Sequence, residues 1–331
     1  MLIQQPQEVE RKVVAILKIL SQSNEPLGAR VISHHLKDHG IELSERAVRY
    51  HLKLMDERGF TESVGRDGRL ITQSGLEELE SALVGDKVGF VASKIELLAY
   101  QTDFDANKRR GKVPVNISFF PEKQFKRAVE TMRDTFKAGI HVSELVAVAR
   151  QGERLGGMVV PQGKVGLATV CGIIINGALL RAGIPIDSKF GGILQIKNHK
   201  PLRFVELIQY SGSSLDPSEI FITSKMTSVG RAAREGEGRI LANFREIPAL
   251  CQPTAEKVVA GLKKAGLNGL IMMGEVSKAV CEVPVEVNKL GMILVGGLNP
   301  IAAAVESGVE VESHAMSAVM EYQDLVEFRE L

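Results

Sequence analysis

Residues 26–75 read PLGARVISHHLKDHGIELSERAVRYHLKLMDERGFTESVGRDGRLITQSG. After Pro26, Ala29, Ile32 and Leu36 recur at helical spacing, and Gly40 ends that run. Ser44 is a suitable N-cap for the next helix, whose inward stripe is Val48, Leu52 and Met55. Arg46, Arg49, Tyr50 and Lys53 follow at i, i+3, i+4 and i+7 on another face. The chain then alternates through Phe60, Glu62 and Val64, reverses at Asp67-Gly68 and returns through Leu70 and Thr72. Asp-Gly between alternating segments predicts a hairpin, because both central residues accept positive φ. Arg66 and Arg69 fall at its tip. Helix, turn, cation-bearing helix and hairpin is the order of a winged helix-turn-helix. The cations and the phenol are placed to read a major groove, and the hairpin tip to meet phosphate. The alternative is a small helical domain whose exposed hairpin grips another protein.

Working outward, Val9, Val13, Ile16, Leu17 and Leu20 predict an amphipathic helix before this stretch, and Gly75 through Leu83 one after it. Residues 1–84 therefore form the expected winged helix-turn-helix DNA-binding domain. It carries 11 Lys+Arg against 13 Asp+Glu, so its positive charge is confined to one helix face and the wing.

At 331 residues and net charge +1, the chain has room for further domains and no bulk preference for nucleic acid or membrane. No apolar run reaches the length of a membrane span, and the start MLIQQPQEVE lacks a signal-peptide pattern. Cys171, Cys251 and Cys281 show no close pairing, which predicts a reducing, cytoplasmic location. The absence of Trp argues against a carbohydrate or aromatic-cage binder.

Residues 85–112 are expected to form a hinge (Gly85 to Gly89), a helix around Ile95, Leu97, Leu98 and Tyr100, and a charged loop. In that loop Lys108-Arg109-Arg110 reads as a solvated turn. Apolar strands and amphipathic helices alternate from Val113 onward, an α/β signature for residues 113–331. Strands are predicted at Val113–Phe119, Gly166–Cys171, Ile193–Ile196 and Phe204–Tyr210, with helices at Glu122–Ala138 and Ile174–Ala182.

The alternation restarts at Ile240. Val165-Gly-Leu-Ala-Thr-Val-Cys-Gly172 lies over Leu290-Gly-Met-Ile-Leu-Val-Gly-Gly297 at an offset of 125, and the register continues without a gap to Gly183 and Gly308. Upstream, Lys137-Ala138-Gly139-Ile140 matches Lys264-Ala265-Gly266-Leu267 at an offset of 127. An internal duplication is expected, with two similar halves at about 113–237 and 238–331 building one domain.

Each half carries a strand, a glycine turn and a helix. Asn299 is expected to cap the helix after Gly296-Gly297-Leu298, with Pro300 at its first position; Thr169-Val170-Cys171-Gly172 is the equivalent turn. Free backbone N–H groups at two facing helix starts would suit a dicarboxylate, although ordinary strand-to-helix turns need the same glycines. Ser213 and Ser214 lie in a polar turn beside a helix start built from Asp216, Pro217 and Glu219, which suggests a ligand-facing segment.

Residues 157–164 resemble a phosphate loop, but five residues separate Gly157 from Gly163 and Val165 follows Lys164, so the motif fails. His34, His35 and His39 include an i, i+4 pair, yet they sit on the helix supporting the DNA reader; exposed or phosphate-facing roles are expected, and no metal. No nucleophile, base and acid converge in sequence, and Cys171 reads as a buried thiol. The chain does not read as an enzyme, and no cofactor is expected.

Three stretches together carry a resemblance: residues 168–186 (ATVCGIIINGALLRAGIPI), residues 113–118 (VPVNIS) and Gly296-Gly-Leu-Asn-Pro300. With the winged module, they resemble the archaeal nitrogen-regulation repressors called NrpR over essentially the whole chain. The resemblance implies a homodimeric transcriptional repressor that binds an inverted-repeat operator of nitrogen-assimilation genes. It also implies 2-oxoglutarate as the allosteric effector that releases DNA. Some members carry two effector domains, whereas this chain carries one. The family's effector-response cysteine corresponds to Cys171, followed by Gly172 where a serine is expected. The effector candidates are Cys171, Gly172, Ser213, Ser214, Gly297 and Asn299. A regulator sensing another small anionic metabolite, or a DNA-tethered metabolic enzyme, is the alternative.

Overall fold

Helical periodicity sets the first three elements. α1 (Pro6–Ser21), α2 (Ala29–Asp38) and α3 (Glu45–Glu57) bring Ile16, Leu17, Leu20, Ile32, Leu36, Val48, Leu52 and Met55 into one buried cluster. Ser44 caps α3, its side chain accepting from the Ala47 N–H at 3.2 Å. The computed structural model describes residues 6–23, 25–38, 41–81 and 89–331, in two units, Met1–Val88 and Gly89–Leu331. His39, Gly40 and the part of the expected hinge before Gly89 lie outside the described residues. The helix expected from Gly75 begins earlier, as α4 (Gln73–Ser81).

The wing consists of β1 (Thr61–Val64) and β2 (Gly68–Ile71), paired antiparallel with Val64 opposite Gly68. The reversal therefore occupies residues 65–67, one position ahead of the expected Asp67-Gly68 turn. Gly68 serves a different purpose. Its φ is +130°, and a Cβ there would lie 2.3 Å from the carbonyl of Leu27. Leu27 exchanges both backbone hydrogen bonds with Arg69 at 3.0 Å, so a third chain segment crowds the wing where the glycine stands.

The second unit begins with α5 (Phe90–Gln101), whose Val91, Ile95, Leu98 and Ala99 are buried in that unit's core. The helix expected within residues 85–112 thus belongs to the second unit. Two five-stranded sheets follow. The chain runs β3 (Lys112–Pro121), α6 (Glu122–Lys137), β4 (Leu145–Arg150), a small ribbon β5 (Arg154–Leu155) and β6 (Met158–Val159), β7 (Lys164–Val170), α7 (Ile173–Arg181), β8 (Asp187–Lys197) and β9 (Lys200–Gln209). It continues through α8 (Pro217–Thr223) and α9 (Val229–Glu235) to β10 (Gly238–Pro248), α10 (Gln252–Lys264), β11 (Leu270–Met273), β12 (Lys289–Val295), α11 (Asn299–Glu306), β13 (Glu312–Glu321) and β14 (Val326–Glu327).

Strands and helices alternate along the chain, yet every named strand pair is antiparallel. The crossovers explain this. β3 and β4 both flank β7, so the α6 connection joins parallel strands with an antiparallel one inserted between them. The first sheet has the order β13-β3-β7-β4-β14 and the second β11-β12-β10-β8-β9. Read from the inside, β13-β3-β7-β4 matches β8-β10-β12-β11. The strand that follows the second helix of each half pairs in the other half's sheet, β8 after α7 beside β10 and β13 after α11 beside β3. Among the described residues no helix is long and apolar enough to cross a membrane.

Candidate functional site

In the first unit α3 presents Arg46, Arg49, Tyr50 and Lys53 to solvent, with Tyr50 60% exposed. Arg49 pairs with Glu45 and Lys53 reaches Glu57 at 4.0 Å, both exposed i, i+4 pairs that a phosphate could displace at little cost. Arg66 is exposed on the wing. Arg69 is engaged elsewhere: its guanidinium donates to Asp56 Oδ2 at 3.0 and 3.2 Å, and Asp56 Oδ1 accepts from Thr61. That pair fastens the wing to α3. The neighbouring His51 faces the core, where burial and then Lys12 hold its imidazole below the usual pKa.

In the second unit the two glycine turns face one another. A Cβ on Gly172 would lie 3.4 Å from the Val295 carbonyl oxygen and 3.7 Å from Asn243 Nδ2. A Cβ on Gly297 would lie 2.6 Å from both the Val170 carbonyl oxygen and Asn116 Nδ2. The pairs correspond across the halves: Val170 and Val295 differ by 125 positions, Asn116 and Asn243 by 127. Between the turns lies a cavity of about 30 Å³ lined by Asn116, Cys171, Gly172, Tyr210, Asp216, Asn243, Arg245 and Gly297 among others. Of the effector candidates, the structure brings Cys171, Gly172 and Gly297 together there.

The other candidates lie elsewhere. Asn299 is fully buried and begins α11 without capping it. Its Oδ1 accepts from the Leu241 N–H at 2.8 Å, while Nδ2 donates to the carbonyls of Leu241 (2.9 Å) and Gly296 (3.0 Å). A carboxamide offers one acceptor and two donors, and the strand backbone takes them all. Ser213 and Ser214 line a separate, open depression of about 400 Å³ with Ile208, Gln209 and Leu215. Asp216 does cap α8, accepting from the N–H groups of Ser218 and Glu219 at 2.8 and 3.3 Å.

Burial governs the titrating groups. It pushes the Cys171 thiol up to about 11, so the thiol stays neutral, and it raises the Tyr210 phenol to about 12. Desolvation likewise raises the carboxyl of Asp216, and takes Glu219 to about 7 even though the Ala315 N–H donates to it at 2.6 Å.

Asn116, Tyr210, Asn243 and Arg245 do not emerge from motif reading. Two signals mark them in retrospect. The offset of 127 superposes the two asparagines, and Arg245-Glu246 places two adjacent charges between the apolar Phe244 and Ile247 of β10. Glu246 points away from the cavity, toward Asp187 and Glu286, whose carboxylates lie within 4.8 Å of one another and of its own. The Lys189 ammonium sits among these three acids, 2.8 Å from Asp187 and 3.5 Å from Glu246, so an ion pair network accounts for the cluster.

A family model described as NrpR regulatory domains NRD1 and 2 matches residues 88–327, and one described as ribonuclease R winged-helix domain matches residues 14–79. The chain is 42% identical over 320 residues to the global nitrogen regulator NrpRI of Methanosarcina mazei, covering 97% of this chain and 98% of that one. It is 34% identical over 312 residues to the global nitrogen regulator NrpR of Methanococcus maripaludis, covering 94% of this chain but 54% of that longer one. A solved structure, a nitrogen repressor-like protein from Methanococcus jannaschii, superposes with a TM-score of 0.61 at 27% identity, covering 73% of this chain and 98% of that one. The relatives are named as regulators and not as enzymes, in line with the non-enzymatic reading of the sequence.

Proposed function

The chain belongs to the NrpR family of nitrogen regulators, and from that premise we propose that it is a cytoplasmic, homodimeric transcriptional repressor. It binds an inverted-repeat operator of nitrogen-assimilation genes and is released by 2-oxoglutarate. The observation that carries the sensing half of this reading is the cavity between the facing turns at Gly172 and Gly297. Helix starts concentrate unpaired N–H groups and positive potential, so opposed starts favour an anion. The DNA half rests on the solvent-facing row from Arg46 to Lys53 and on Arg66 at the wing. The repeated sheet order and the shared glycine register support an origin of the effector domain by internal duplication.

The effector acts by binding the DNA-incompetent arrangement of the dimer more tightly. A hundredfold change in operator affinity requires about 2.7 kcal/mol of coupling. Reorientation of the two winged domains is the effective lever, because half-site spacing is geometrically strict. Anisotropy of a labelled nitrogen-promoter fragment, titrated with 2-oxoglutarate, tests the reading. Salt-sensitive binding that weakens with effector supports it. Binding that ignores 2-oxoglutarate would favour a regulator sensing another anionic metabolite, and no binding to such promoters would remove the repressor assignment.

A further inference from the structure

We propose that Arg245 is the anchoring cation for one carboxylate of a small anion bound between Asn116 and Asn243. The inference rests on the anion-sensing reading above and adds to it the residue and the ligand class. Arg245 lies on β10 and is 2% exposed. Among the described residues no carboxylate stands within 4.0 Å of it. Its acceptors at 3.4 Å, Asn176 Oδ1 and the Phe244 carbonyl, are neutral, and so is the Tyr210 phenol that it also meets. A guanidinium carries five N–H donors and stays charged at any ordinary pH, and a buried charge without a counter-ion is costly. The adjacent Glu246 cannot serve, since strand alternation turns it to the other face, where it is within 3.5 Å of Lys189.

A second donor points into the same space. Asn116 is 2% exposed, and its Oδ1 accepts from the Met316 N–H at 2.9 Å, which fixes the amide's orientation. Its Nδ2 then has no hydrogen-bond partner. A charged fork and an orphaned amide donor, set between two helix starts, make a site for oxygens bearing negative charge. Asp216 also lines the cavity, but it lies beyond 4.0 Å of Arg245, its Oδ1 is held by the N–H groups of Ser218 and Glu219, and burial raises its carboxyl toward the neutral form.

The cavity of about 30 Å³ has room for roughly one water, so a carboxylate ligand enters only if a wall yields. Tyr210 is that wall. Its hydroxyl donates to Asn243 Oδ1 at 2.6 Å and its ring lies 4.8 Å from the Arg245 guanidinium carbon. Withdrawal of Tyr210 uncovers the guanidinium and frees the Asn243 carboxamide in one movement.

The test is thermal unfolding of the full-length protein with 2-oxoglutarate, glutarate, succinate, sulfate or uncharged glutaramide. At least one dianion should stabilise the wild type while glutaramide does not. Arg245→Gln and Asn116→Asp should each weaken that dianion by about thirtyfold or more. Asn116→Asp keeps the shape and the acceptor toward Met316, so it carries the test if Arg245→Gln does not fold, as judged by the ligand-free midpoint. Equal stabilisation of wild type and variants by 2-oxoglutarate would overturn the anchor and leave the effector reading standing. An Arg245-dependent response to another anion, with none to 2-oxoglutarate, would support the anchor and sink the effector reading. No response to any anion would overturn the anchor.

Discussion

Replacing Gly297 by Ala should destabilise the second unit, whereas the same change at its sequence counterpart Gly172 should not. A Cβ at Gly297 would lie 2.6 Å from the backbone oxygen of Val170 and 3.3 Å from the Cys171 Cα, about 1 Å inside ordinary contact with the first. Backbone in the middle of a sheet cannot step aside as a flexible side chain can, so the cost falls in the overpacking range of about 1–3 kcal/mol. A domain of this size loses roughly 2–4 °C of midpoint per kcal/mol, which sets the expected drop at about 4–8 °C for the central value. At Gly172 the nearest atoms would be 3.4 and 3.7 Å away, and φ is −59°, a helical value any residue adopts. There the lower entropy of the unfolded alanine chain leaves stability unchanged or raised by up to about 1 kcal/mol. Circular dichroism melts of both variants, followed at the second unit's transition, measure the difference. Equal losses at the two glycines would refute the asymmetric packing of the facing turns and the argument built on it.

Asn299→Ala should cost about 1–3 kcal/mol in urea unfolding, since it strands the buried N–H of Leu241, whose C=O keeps the Gly296 N–H. Full stability with lost effector binding would instead return Asn299 to the ligand site. Arg49→Ala and Arg66→Ala should weaken operator binding and each flatten its salt dependence by about one unit of slope. Arg69→Ala should leave that slope alone and lower the winged unit's stability by about 1 kcal/mol through loss of the Asp56 pair; the reverse pattern would show that Arg69 meets phosphate. Burial raises the Glu219 carboxyl from its ordinary 4.5 to about 7. The folded state thus holds a proton that the unfolded chain releases between those values. Its contribution is complete below the ordinary value and disappears as pH rises through about 7. Glu219→Gln should flatten the fall in the second unit's midpoint between pH 5 and 8, and parallel wild-type and variant profiles would count against a buried proton there.

The winged module was readable in the chain because each of its signals is local. The cap at Ser44 and the stripe of Val48, Leu52 and Met55 depend on neighbours within a few positions. So does the outward row of Arg46, Arg49, Tyr50 and Lys53. The glycine register shared by the two halves was equally visible, and it located Cys171, Gly172 and Gly297, which line one cavity. Spacing within a segment says nothing, however, about which distant backbone a side chain meets. Gly68 looked like a turn residue until Leu27 was found against it, and Arg69 like a phosphate ligand until Asp56 was found beside it. Asn299 looked like a cap, but Leu241 takes its carboxamide. Ser213 and Ser214 line a separate depression and not the cavity at Gly172 and Gly297. Arg245 is the extreme case. Its sequence offers an adjacent glutamate as partner; strand alternation turns that glutamate to the other face, and only the tertiary structure shows it meeting Lys189 while, among the described residues, no carboxylate reaches Arg245. Local periodicity sets the elements and their register, but the exchange of strands between sheets decides which buried charges find a partner.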